Sequence, residues 1–163
     1  MPLRNEAHHR HALPGRLHKP GACLRDPHLW VAAALAFPVW WGLYLLIHPK
    51  PDPLWPLHQP KALLLVGLVY PLLEEWLFRG FLQGWLREHP TMRRSRLGIS
   101  WANLLTSLLF VLFHLLRHPP VAALAVLAPS LIFGHLRDRQ GSLLGPILLH
   151  AFYNIGYFWL LSG

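Results

Sequence analysis

The chain has 163 residues, 53% of them hydrophobic and only 13% charged, with a formal net charge of +8. A soluble domain of this size carries roughly 25% charged residues, so composition excludes an ordinary soluble globule and points to a compact integral membrane protein. Its one cysteine, Cys23, excludes an intrachain disulfide and a multi-cysteine metal site, and the basic residues are placed as for membrane orientation, not nucleic-acid binding.

Residues 1–28 read as a mobile basic arm, rich in His, Arg and Pro and without the apolar core of a signal peptide. Its cluster His8, His9, His11 has metal-ligand chemistry, but a solvated tail beside anionic headgroups is the preferred reading. Residues 29–163 form the membrane domain, an all-α polytopic bundle of about five spans. The first span runs from about Leu29 to Ile47, long enough for ~30 Å of hydrocarbon, with Trp30, Trp40, Trp41 and Tyr44 as interfacial anchors. A proline-rich link, His48 to Pro60, is not helical throughout. The second span covers about Lys61 to Leu86, the third Gly98 to Leu116, the fourth Val121 to Leu136 with Pro129 inside it, and the fifth Ser142 to Leu161.

With an inner amino terminus, eleven Lys and Arg residues fall inside, among them Arg25, Arg87, Arg93, Arg94, Arg96, Arg137 and Arg139. Only Lys50, Lys61 and Arg117 fall outside. That bias predicts an inner amino terminus and an outer carboxyl terminus.

The second segment carries Glu74, Glu75 and Arg79 in otherwise apolar sequence. A charge at mid-bilayer costs at least ~2.5–3.5 kcal/mol, and intramembrane ionisable groups mark function by default. Glu75 and Arg79 are one turn apart, acid first, and pair within one helix. Glu74 lies about 100° around the helix and is left for another task. Pro71 deprives the carbonyl of Gly67 of its helical donor and predicts a kink before the acids. The alternative is a buried ion network that ties helices together.

Phe110 and His114 share one face of the third segment, and His150 and Asn154 one face of the fifth. Three helices that each turn polar groups inward are how a bundle builds a site in its core. No nucleophile elbow, zinc-protease helix, P-loop or dinucleotide fingerprint is present, and Ser107, Ser130 and Ser142 lack a base at set spacing. Carboxylate and imidazole would instead activate water, with other donors for the oxyanion. No metal or cofactor is expected, since the spacing of the histidines and glutamates matches no zinc signature.

At these residues the chain resembles the CAAX-protease and bacteriocin-processing (CPBP, Abi) family of intramembrane glutamic proteases. The matching motifs are Glu74-Glu75-Trp-Leu-Phe-Arg79, Phe110-Val-Leu-Phe-His114 and His150-Ala-Phe-Tyr-Asn154, over about residues 61–160. The resemblance implies that Glu74 and His114 activate the attacking water. It implies oxyanion stabilisation by His150 and Asn154, and support of the site by Glu75, Arg79 and Phe110. The short chain looks more like compact bacterial members of the JDVT-CTERM type, which are associated with carboxyl-terminal sorting signals, than like the eukaryotic prenyl-protein enzyme.

The expected function is an intramembrane endopeptidase of a bacterial inner membrane. It would cleave a membrane protein or peptide near a membrane-embedded, carboxyl-terminal segment, with the lipid bilayer as its other partner. The alternatives are a non-catalytic peptide-binding or immunity protein and a small proton-coupled transporter; the absence of an internal repeat weighs against the last. One tension remains in the spacing: His114 falls near the outer end of its helix while Glu74 falls near mid-depth.

Overall fold

The structure, a computed structural model, describes residues 20–162; most of the basic arm, with His8, His9 and His11, lies outside them. Helix α1 spans Pro20–Leu24 and α2 spans Pro27–Ile47. The stretch 20–28, assigned to the arm by composition, is therefore part of the fold. Asp26 caps α2 by accepting from the His28 amide, Pro27 occupies the first helical position, and Cys23 is buried. An acidic N-cap followed by proline is a helix-start signal.

A short α3, Trp55–His58, breaks the proline-rich link. The segment holding the acidic pair is one helical run, 60–86, named α4. It is α-helical at Pro60–Leu64, Tyr70–Glu75 and Gln83–Leu86, and π-helical at Leu65–Val69 and Trp76–Leu82. Next come α5, Pro90–Arg93, and a two-residue hairpin of β1, Ser95–Arg96, against β2, Ile99–Ser100. Helix α6 then spans Trp101–Leu115, α7 Pro120–Ala125, α8 Leu127–Gln140 and α9 Leu144–Leu160.

The expected kink at Pro71 takes another form. Tyr70 N bonds to Leu65 O, five residues back, so the next donor in that register would be Pro71, which has no N–H. The carbonyl set free is therefore that of Val66, not Gly67, and Asn154 Nδ2 donates to it at 3.1 Å. Pro129 acts as its chemistry requires: the proline ring clashes with the carbonyl four residues back. That residue is Ala125, where α7 ends before α8 begins at Leu127.

The third segment starts later than expected. Leu97 and Gly98 adopt positive φ (53° and 79°) in the hairpin, so α6 begins at Trp101 and has only 15 residues. This resolves the tension over depth. Phe110 packs edge-on against Phe78 with ring centroids 4.9 Å apart, so His114, one turn on, is level with the acidic pair. Helix α6 simply stops at that level while α4 continues to Pro60.

Beside an apolar core that includes Phe133, Leu136 and Leu149, the interior holds many polar groups. Glu75, Arg79, Gln83, Asn103, Thr106, Ser107 and Ser130 are fully buried, while large apolar side chains such as Leu46 and Trp41 are exposed. The helices Pro27–Ile47 and Pro120–Gln140, the latter comprising α7 and α8, are each long and apolar enough to cross a membrane. Trp40 differs from expectation: it packs against α9, where a Cβ at Gly156 would lie 2.1 Å from its ring. It joins helices instead of anchoring an interface.

Candidate active site

Glu75 and Arg79 are both fully buried, with Arg79 Nε 3.4 Å from Glu75 Oε2. The other Glu75 oxygen lies 2.9 Å from His150 Nδ1. An ionised carboxylate only accepts, so Nδ1 carries the proton and the opposite ring nitrogen is aimed elsewhere. That nitrogen, Nε2, lies 3.6 Å from Glu74 Oε2. His150 is thus held between the two glutamates, its ring stacked on Phe133 at 4.8 Å and 19°.

Glu74 differs from its neighbour as helical geometry requires. Its side chain is 25% exposed against 0% for Glu75, so one acid is built into the protein and the other is open. His114 donates Nδ1–H to the Phe110 carbonyl at 2.9 Å, which leaves its Nε2 lone pair free in the neutral ring. The Phe110 ring lies 4.3 Å from that of His114 and 6.2 Å from that of His150. It also lies under the Arg79 guanidinium at 4.9 Å. Among the described residues no hydrogen bond or ion pair joins His114 to either glutamate. The structure therefore gathers Glu74, Glu75, Arg79, Phe110 and His150 by contact. His114 adjoins them across Phe110, and Asn154, on the face of α9 that carries His150, reaches α4 at Val66.

Sequence reasoning missed the scaffold beneath these groups. Arg79 Nη2 donates to Ser130 O (3.0 Å) and Ser130 Oγ (2.7 Å). One turn on, Gln83 Nε2 donates to Gly134 O (3.0 Å) and to Asp138 Oδ1 (2.7 Å). A further turn on, Arg87 pairs with Asp138. The pairs Arg79–Ser130, Gln83–Gly134 and Arg87–Asp138 share a separation of 51 residues, so α4 and α8 run parallel in register. The signal was present as two strings at spacing four, Glu75-Arg79-Gln83-Arg87 and Ser130-Gly134-Asp138.

A water molecule placed beside Glu74 would meet a carboxylate able to take its proton, with the His150 imidazole 3.6 Å from that carboxylate. Among the described residues no group of three or more His, Cys, Asp or Glu side chains is arranged to hold a metal ion. A family model described as type II CAAX prenyl endopeptidase Rce1-like matches residues 56–156. No curated protein and no solved structure gives a match.

Proposed function

Because the chain belongs to the Rce1-like family of type II CAAX prenyl endopeptidases, a family of integral membrane proteases, we propose that it is an intramembrane endopeptidase of the glutamic type. Glu74 takes a proton from water as the oxygen attacks the scissile carbonyl, and His114 assists from α6. His150, protonated on Nε2 as well as on Nδ1, and Asn154 stabilise the oxyanion, and the proton that Glu74 took passes to the leaving amine. Asn154 spends one amide hydrogen on Val66 O and keeps the second for this task. Glu75 and Arg79 hold His150 in place.

The observation that carries this reading is the position of His150, fixed by Glu75 on one nitrogen and turned toward Glu74 with the other. A structural ion network has no need of the open carboxylate at Glu74. The substrate is a membrane protein or peptide cut near a membrane-embedded, carboxyl-terminal segment, in the manner of the compact JDVT-CTERM type. The setting on this reading is a bacterial inner membrane with the amino terminus inside; two helices long and apolar enough to cross a membrane support the membrane, and the basic residues at the ends of α4 and α8 support the orientation.

The test compares cleavage of a co-expressed candidate membrane substrate by the parent and by Glu74→Gln at equal inserted amounts. General-base catalysis is worth ~10²–10⁴ in rate, and a fall of that order is expected. Near-parental cleavage by the variant removes Glu74 from the chemistry.

A further inference from the structure

Beyond Glu75, along the ladder between α4 and α8, lies a set of polar atoms that make no hydrogen bond within the protein, although Arg79 Nε is ion-paired with Glu75. Arg79 Nε and Nη1, Gln83 Oε1, Thr106 Oγ1 and Asp138 Oδ2 are shut off from the surface and have no hydrogen-bond partner among the described residues. Arg79, Gln83 and Thr106 are fully buried.

The residues that carry them follow one another along the helix interface. Gln83 reaches Asp138 directly, and Asp138 reaches Arg87, whose side chain is 35% exposed. Phe110 lies under Arg79, and α6 returns antiparallel to α4 through the hairpin. Thr106, one turn before Phe110, is therefore level with Gln83. Buried polar groups in native proteins are matched by protein or by ordered water, and a buried water typically makes about three hydrogen bonds. Here the protein supplies both donors and acceptors that it does not pair with one another.

We propose that these atoms bind a file of ordered waters, which runs from the Arg87–Asp138 pair at the basic end of α4 to Arg79 and Glu75 beside the candidate site. It extends for about three helical turns. The file supplies the water that hydrolysis consumes through protein instead of through lipid. Only this purpose rests on the hydrolytic reading; the binding of water does not.

The experiment is X-ray radiolysis of the inserted full chain, which makes hydroxyl radicals from bound water and oxidises the side chains beside it. Phe110 and Phe133 are each 2% exposed, out of reach of radicals made in bulk solvent, and both face Arg79. Oxidation of these two rings, read by mass spectrometry, is expected in the parent. Thr106→Val keeps the side-chain shape and removes the hydroxyl, and Gln83→Leu removes an acceptor from the middle of the file. Each is expected to lower the oxidation severalfold. If Gln83→Leu does not fold, Thr106→Val and the parent still decide the matter. Unoxidised phenylalanines in the parent, or equal oxidation in parent and folded variants, overturn the file whatever the cleavage assay shows. An oxidised parent that cleaves nothing leaves the file standing and sinks the hydrolytic reading.

Discussion

At the scale of single residues, Glu74 and Glu75 are neighbours in sequence with opposite surroundings. Glu75 is sealed between Arg79 and His150, so Glu75→Gln leaves the Arg79 charge buried without its counter-ion. Breaking a buried pair from one side costs ~3–5 kcal/mol. A lower melting temperature of the purified variant, alongside reduced cleavage, is the expected result. If Glu75→Gln is inactive but as stable as the parent, Glu75 acts in the chemistry and not as a support. On the proposed mechanism Asn154→Ala removes an oxyanion donor, and loss of one such donor is worth ~10²–10³ in rate. Turnover should fall by that order with KM little changed, as steady-state kinetics on a peptide substrate would show. The Glu75–Arg79 pair was legible because both partners sit on one helix at spacing four. The Glu75–His150 bond spans 75 residues and has no local signature, so the tie between these two helices is not legible in either segment.

At the scale of helices, all five apolar segments were legible from hydropathy, and most of their ends agree within a few residues. What hydropathy does not encode is register. The π turns of α4 arise from hydrogen bonds five residues apart, a choice settled by packing and by the proline at 71. The start of α6 moved because Leu97 and Gly98 turn the chain back on itself. Gly134 shows how closely the elements are set. A Cβ there would lie 1.9 Å from Asn103 Oδ1, whose amide nitrogen donates to Leu131 O at 2.9 Å. Gly134→Ala should force α6 and α8 apart and cost ~1–3 kcal/mol, as overpacking does. Thermal unfolding measures this, and an unchanged melting temperature would show that Asn103 yields freely.

At the scale of the whole molecule, a second clasp fastens the start of α2 to the end of α8. Asp26 accepts from Arg139 Nε at 3.1 and 3.0 Å, from Gln140 Nε2 at 3.2 Å and from the His28 amide at 3.1 Å. Partial burial pushes its carboxyl pKa up. Hydrogen bonds from Gln140, the His28 amide and Arg139, with the Arg139 charge, more than offset that and hold it below the ordinary carboxylate value. A carboxylate whose folded pKa is depressed contributes stability that is present above its unfolded pKa of about 3.9 and is lost as pH falls through the folded value. Asp26→Asn should therefore melt below the parent at neutral pH, and the gap should close below about pH 4. Melting curves across that range check it, and a gap independent of pH would mean that the charge contributes nothing.

The parallel ladder between α4 and α8 also imposes an order on the birth of the protein. Arg79 and Arg87 leave the ribosome 51 residues before Ser130 and Asp138. At ~5–20 residues per second the delay is roughly 3–10 s. During that interval α4 holds Glu74, Glu75, Arg79 and Gln83 with α8 not yet made, and His150 emerges later still. A lone helix with such a face is poorly accepted by lipid. Helix α4 must therefore wait in a watery or chaperoned place, and its passage into the bilayer is completed by sequence that does not yet exist when it first appears.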